Sequence, residues 1–420
     1  MEDFMTCTHT CSKLSLALWF SALALAFGAQ QMSASTTYIV GTCASGTQFS
    51  TIQSALDASP APTTVEVCPG QYIEQITITK PVTLEGITGN QNGIFGGTGN
   101  GSMAQIVPPA SMNVISLQNG GSPATASAQI YVDNVSGGNV NLTNLDVQGL
   151  YQSGQGQYFI GILYQGSSGT VNQVVASLQN PTPLQGPGQP GIGIWIEGSS
   201  SNPSVTVENS SIHDFSANGI MVIGSTDGAP DLTATIKNNV ISNFSSQTTY
   251  DVDLQVGSTP TFTGNFVSGG LYGICLCGAP SGSVSGNTVF GSRYGIELSV
   301  DGPTVTSNNV YGTQVNGIDI QAPSLEASVV ESNTIKTVNP PDSEGTAIEL
   351  NCNSISSSKV HSNTLVDVWE GYGDAPSGFG GSNTYVGVAL DVTSCGTSGA
   401  VSKSASTAAR LTSLGRVRAQ

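Results

Sequence analysis

The sequence predicts an all-β chain wound as a parallel β-helix, and three observations predict it. From about residue 190 one phrase returns again and again: GIWIE at 193, GIMVI at 219, DVDLQ at 251, GICLC at 273, GIELS at 295, GIDIQ at 317, AIELN at 347 and GVALD at 387. The second residues of these phrases are separated by 26, 32, 22, 22, 22, 30 and 40 positions, a base period of 22 with loop insertions. A second phrase, apolar-x-x-Asn-x-apolar, interleaves with the first. The third observation is composition: 52 Gly and 20 Pro in 420 residues, 38% hydrophobic and only 9% charged, which argues against long helices and still supplies a large core.

Each element can be justified in order. Lys13 precedes the run LSLALWFSALALAFGA, which is the length of a signal-peptide hydrophobic region and short for a membrane span. Ala26 and Gly28 supply small residues for cleavage, so residues 1–28 are read as a secretory signal, 36–395 as the solenoid and 396–420 as a flexible or capping tail. The expected location is secreted or cell-surface, with no membrane contact once the signal is removed. Removal also takes Cys7 and Cys11, leaving Cys43, Cys68, Cys275, Cys277, Cys352 and Cys395 for disulfides, in any of 15 pairings. Cys275-x-Cys277 lacks the two-residue gap of a zinc knuckle and has no His nearby, which speaks against metal binding by these thiols.

STIQSALDAS (50–59) is the early helix candidate. Ile52, Ala55, Leu56 and Ser59 share one side, Pro60 stops the helix, and a solenoid needs such a cap over its first coil. VEVCPGQYIEQITITKPVTLEG (65–86) then reads as the first coil of alternating strand and turn. In the repeats the Asn position is held by Asn239, Asn265, Asn287, Asn308, Asn333 and Asn363, with Ser210 one turn earlier. Three residues before it stand Val207, Ile236, Phe262, Val284, Val305, Val330 and Val360; two after it stand Ile212, Ile241, Val267, Val289, Val310, Ile335 and Leu365. Like residues therefore stack from coil to coil at about 4.8 Å, and an Asn at each bend can bond to the Asn above and below. The Leu-x-x-Leu-x-Leu frame of leucine-rich repeats and the long units of propellers are absent. About ten coils are expected.

The cap residues Phe49, Thr51, Ile52, Gln53, Ala55, Leu56 and Asp57, followed by Val67, Pro69, Gly70, Tyr72, Glu74, Ile76, Thr77 and Ile78, combine with the Asn and Gly-Ile repeats into a likeness covering about residues 38–392. On these residues the chain resembles the right-handed parallel β-helix proteins of the pectin lyase-like superfamily. The resemblance implies a right-handed solenoid and polysaccharide chemistry: pectate lyases use calcium, acidic ligands and an Arg or Lys base. The Asp-Phe-Ile-Phe-Gly segment of pectinesterases and the Asn-Thr-Asp, Asp-Asp and His-Gly signatures of polygalacturonases are missing.

Candidate chemistry follows from strand alternation. In each Gly-Ile-x-Leu phrase the Ile and Leu point inward and x outward, so Trp195, Met221, Asp253, Cys275, Glu297, Asp319 and Glu349 should form one outer stripe. Glu197, Ile223, Gln255, Cys277, Ser299, Gln321 and Asn351 form a companion column. Asp253, Glu297, Asp319 and Glu349, with Arg293 four residues before Glu297, are the candidate catalytic residues, since paired carboxyl groups serve as acid and base in glycoside hydrolysis. Stacked carboxylates repel, which raises their pKa values or recruits a cation, so Glu297 and Asp319 are candidate calcium ligands. Trp195, Glu197, Trp369 and Tyr372 are candidate substrate-binding residues, and Phe379 lies in the same segment as the last two. His213-Asp214 reads as a turn pair and His361 as a surface residue.

The net charge of −17 and a basic content of 10 Lys and Arg exclude a nucleic-acid partner. The expected partner is polysaccharide, and the expected state a monomer. Two functions follow: a polysaccharide lyase or glycoside hydrolase acting at the acidic face, or a non-catalytic adhesin-like or glycan-binding solenoid.

Overall fold

The computed structural model describes residues 35–46, 48–87, 103–117, 123–151, 156–179, 190–198, 202–225, 232–243, 250–279, 281–336, 338, 345–377, 379, 382–395 and 401–402. The chain divides into two compact units, Met1–Thr36 and Thr37–Gln420, and the second holds the solenoid. The signal peptide, and the tail apart from residues 401–402, lie outside the described residues.

Among the described residues three sheets of 13, 12 and 14 strands make up this unit, and each takes roughly every third strand in chain order. In the third sheet two short strands, Ile115–Leu117 and Val401–Ser402, pair antiparallel. The remaining twelve follow one another in sequence, one per coil, so there are two more coils than the repeat count suggests. One of these lies near the end: after Ile348 the inward slot is taken by Tyr372 and then by Val392. The 40-residue step between Ile348 and Val388 therefore spans a coil rather than a long loop. Its strand reads EGYGDA, with a tyrosine where the other coils have Ile or Val, and so escapes the Gly-Ile pattern.

Registers elsewhere match the alternation. Val207, Ile236, Phe262, Val284, Val305, Val330 and Val360 are successive partners in the first sheet. Ile212, Ile241, Val267, Val289, Val310, Ile335 and Leu365 are successive partners in the second. All are fully buried, and each such side chain contributes about 1.5–3 kcal/mol of transfer free energy. β-Branched residues dominate because their stiff side chains suit a pleated, tightly packed surface. The glycine before the inward Ile has its own cause: a Cβ at Gly273 would lie 2.6 Å from Val289 Cγ1 and 2.7 Å from the Gly295 carbonyl.

At each bend the asparagines form a continuous ladder. Asn287, for example, accepts at Oδ1 from the Asn265 backbone N–H (2.9 Å) and Nδ2 (3.0 Å), and donates from Nδ2 to the Phe262 carbonyl and to Asn308 Oδ1, both at 3.0 Å. The same pattern continues through Asn333 and Asn363 to Asn383. Residues with left-handed backbone precede it, among them Asn238, Gly264, Gly286, Ser307, Ser332 and Ser362, which turns the chain into the next sheet.

The helix spans Ile52–Leu56, half the length expected, and ends at Asp57, two residues before the cis Ser59-Pro60 bond. Thr51 caps it by accepting from the Ser54 N–H, and the Glu74 carboxylate accepts from the N–H groups of Ile52 (2.9 Å) and Gln53 (3.1 Å). Ile52, Ala55 and Leu56 are buried against the first coil. The six cysteines form three pairs, Cys43–Cys68, Cys275–Cys277 and Cys352–Cys395, with Cα separations of 5.6, 5.1 and 5.5 Å, within the range a disulfide spans.

Candidate functional site

The outer face of the third sheet is where the sequence places its acids, and register confirms the column. Trp195, Met221, Asp253, Cys275, Glu297, Asp319 and Glu349 are successive partners across seven coils. The acids are embedded rather than solvated: Asp253 is 5% exposed and Asp319 4%, while Glu297 and Glu349 are half-buried. The companion residues two positions on explain how. Gln255 donates to Asp253 (2.7 Å), Ser299 to Glu297 (2.5 Å) and Gln321 to Asp319 (3.0 Å), and the Asn351 backbone N–H donates to Glu349 (3.2 Å). Asn351 Nδ2 also donates to the other Asp319 oxygen, at 2.6 Å. A calcium ion at Glu297 and Asp319 would therefore compete with amides that already hold both Asp319 oxygens.

Burial sets the electrostatics. It pushes the Asp253 carboxyl up to about 6, against the Gln255 and Asn218 amides that pull it down, with the Glu297 charge adding to the rise. Burial likewise pushes Glu349 up to about 7, opposed by the Asn351 N–H and reinforced by Asp374, Glu370 and Asp319. Glu297 is raised by burial and by Asp319, and lowered by its Ser299 bond. Asp253, Glu297 and Glu349 thus all hold their protons above the ordinary carboxylate range.

Beside it lies a column that the stripe argument missed. Asn218, Tyr250, Tyr272, Tyr294 and Asn316 are registered partners. The three tyrosine rings stack at 4.9 Å with interplanar angles of 9° and 16°. Stacking covers the faces of Tyr272 on both sides, so the ladder presents ring edges and hydroxyls rather than ring faces. Among the described residues none of the three hydroxyls has a hydrogen-bond partner. Burial first, then neighbouring charges led by Glu297, pushes the Tyr272 hydroxyl up to about 12, so it remains a donor. The signal was in the sequence: Tyr250, Tyr272 and Tyr294 are each two residues before an inward Val or Ile, at the same 22-residue step.

The other candidates separate from this face. Arg293 is exposed at the turn, its guanidinium carbon 5.7 Å above the Tyr294 ring, and none of the ion pairs among the described residues involves it. Four residues of extended strand are about 13 Å, so proximity in sequence does not bring it to Glu297. Trp195 is fully buried, edge-on to Tyr158 at 5.2 Å. It lies in an apolar cluster with Leu117, Leu163 and Met221, and offers no open ring face. The strand Ile115–Leu117 belongs to this part of the sheet, which is why its outer column is apolar and covered there. Glu197 is 3% exposed and accepts from Gln165 Nε2 at 2.6 Å. Tyr372 occupies an inward slot in the core, next to Phe379 and Tyr385. Trp369 is 47% exposed and immediately precedes the strand Glu370–Ala375, as Arg293 precedes Tyr294–Leu298. The two therefore line the same edge of the sheet, three coils apart. His213 bonds to its neighbour Asp214 at 2.8 Å, and His361 lies 3.6 Å from Glu331 near the surface.

Comparison with known proteins bears on the fold. A family model described as a right handed beta helix region matches residues 192–365. No curated protein matches the sequence. Among solved structures, the Dettilon tailspike protein gp208 is 13% identical with a TM-score of 0.50, covering 78% of this chain and 62% of its own. The A-module of the mannuronan C-5 epimerase AlgE6 from Azotobacter vinelandii is 16% identical with a TM-score of 0.48, over 81% of this chain and 90% of that one. DFA-IIIase from Arthrobacter chlorophenolicus A6 is 13% identical with a TM-score of 0.46, over 82% of each. At these identities the likeness is one of fold.

Proposed function

We propose that this right-handed parallel β-helix of the pectin lyase-like type is an extracytoplasmic protein that binds a linear polysaccharide along the outer face of its third sheet. The observation that carries the reading is the pairing of two registered columns: the Tyr250–Tyr272–Tyr294 hydroxyl row and the Asp253–Glu349 carboxyl row. Four coil steps of about 4.8 Å give a straight strip near 19 Å long, polar except at Cys275, a shape suited to an extended polymer whose hydroxyls repeat along it. Trp369 at the sheet edge supplies an open aromatic face for a sugar ring. In the same reading the helix Ile52–Leu56 closes the N-terminal end of the core.

A panel of neutral and acidic polysaccharides, titrated calorimetrically with calcium and with a chelator, tests the proposal. The triple variant Tyr250→Phe, Tyr272→Phe, Tyr294→Phe keeps the ring stack and removes three hydroxyls. At about 1 kcal/mol per lost hydrogen bond, affinity for the bound polymer should fall on the order of 100-fold. Unchanged affinity would remove this face from consideration.

A catalytic reading has one observation in its favour. Glu349 holds its proton to about 7, and its registered neighbour one coil away is Asp319. Retaining glycoside hydrolysis uses two carboxyl groups about 5–5.5 Å apart, close to the strand spacing. Product release from the bound polymer, lost in Glu349→Gln while binding persists, would establish it; binding with no product from the unaltered chain would exclude it.

A further inference from the structure

We propose that Cys275 and Cys277, when reduced, form with Asp253 a zinc-binding site on the outer face of the third sheet. This goes beyond polysaccharide binding and does not depend on it.

The argument begins with alternation. Cys275 and Cys277 flank the inward Leu276, so both thiol side chains leave the same face of one strand. Asp253 is the registered partner of Cys275 in the preceding coil. The two sulfurs and a carboxylate oxygen of Asp253 all lie within 4.8 Å of one another. The 22-residue period places Asp253 beside Cys275, and the distances bring Cys277 to the same point.

The second observation is the state of Asp253 itself. Oδ2 accepts from Gln255 (2.7 Å) and Asn218 (3.4 Å), whereas Oδ1 is buried with no hydrogen-bond partner. A carboxylate 5% exposed with one oxygen held by amides and the other unsatisfied is costly to bury, unless something fills the remaining position. Amides fixing one oxygen while the other is left without a partner is the arrangement by which outer partners prepare a metal ligand. Cys275 is fully buried and Cys277 half-buried, so the cluster opens to solvent on the Cys277 side. Glu297, registered to Cys275 from the following coil, adds negative charge that favours a dication.

Ligand chemistry selects the ion. Two thiolates and one carboxylate suit a borderline-soft cation with tetrahedral preference, and leave a fourth position for water. Calcium and magnesium require oxygen ligands and are poorly served by sulfur. The cysteines are joined as a disulfide in this structure, and a disulfide sulfur is no thiolate, so the two states exclude each other. Passage between them balances simply. A small dithiol reductant gives two electrons and two protons to the S–S bond, which breaks to two thiols, while the reductant closes to its own disulfide. Zinc then forms two Zn–S bonds and one Zn–O bond, and two thiol protons go to solvent.

The experiment uses the full chain, oxidised or reduced with a dithiol and desalted, and measures zinc uptake against a chromophoric chelator. Cobalt(II) serves as a spectroscopic substitute that reports thiolate ligation by a charge-transfer band. The reduced chain should take up about one equivalent and show the band, and the oxidised chain neither. Asp253→Asn and Cys277→Ser should each weaken uptake by at least the 10- to 100-fold that loss of an outer partner costs. Cys352→Ser, Cys395→Ser should retain it. Equal uptake by oxidised and reduced chain, full affinity in Asp253→Asn, loss in the Cys352/Cys395 variant, or no uptake by a reduced chain whose thiols titrate as free would each overturn the proposal. Far-UV circular dichroism confirms that each variant keeps its β-structure.

Discussion

Glu349 folds into a position that opposes its ionisation, and this has a measurable sign. Its ordinary value of 4.5 is raised to about 7, chiefly by burial. Below 4.5 the group is protonated in folded and unfolded chain alike and carries no penalty. As pH rises, the unfolded chain releases the proton first, so stability falls until the folded group also ionises near 7; above that the penalty is constant. Glu349→Gln keeps the oxygen that accepts from Asn351 and removes the charge. Thermal melts should therefore show the variant stabilised at pH 8, by at most about 3 kcal/mol, and unchanged at pH 4. A gain equal at both pH values would contradict burial as the cause. That this residue faces outward was legible from alternation alone. How deeply it sits was not, since depth depends on Asn351, Asp319 and the rim of the neighbouring coil. Trp195 makes the same point more sharply: its column was legible, while its covering by an apolar cluster that reaches Leu117, outside the repeats, was not.

The bend between the first and second sheets depends on one element repeated, the asparagine ladder, and its energetics are local. Asn287→Ala would leave the buried Asn265 N–H without a partner and take one donor from the Phe262 carbonyl, while the Asn287 backbone N–H still donates to Asn308 Oδ1. At about 1–3 kcal/mol for the orphaned N–H and about 1 kcal/mol for the second lost bond, the variant should lose on the order of 3 kcal/mol in denaturant unfolding. The exposed Asn139→Ala serves as reference and should change little. A loss below about 1 kcal/mol at Asn287 would mean that water or a backbone shift replaces the ladder. This element was readable because its cause is local: a left-handed residue, then an Asn, then an apolar residue two on. The coil around Tyr372 was not readable, because an inward tyrosine breaks the aliphatic pattern while the backbone register continues.

At the scale of the whole molecule, charge decides what the strip can hold. A chain of net charge −17 that places four acids in one outer column repels an anionic polymer at low ionic strength and is indifferent to a neutral one. Between 10 and 150 mM salt the screening length shrinks from about 30 Å to about 8 Å, roughly half the length of the strip. If the bound polymer is neutral, calorimetric affinity should be flat across this range. Any residual affinity for an acidic polymer should rise with salt, by about tenfold, the reverse of the fall seen when Lys and Arg clusters drive binding. Affinity that drops with added salt would require a basic surface to lead the contact. Arg293 at the sheet edge is then the residue to remove first, since it is exposed and, among the described residues, pairs with no carboxylate. Abolition of that salt dependence in Arg293→Gln would move the binding surface from the carboxyl column to the edge it shares with Trp369.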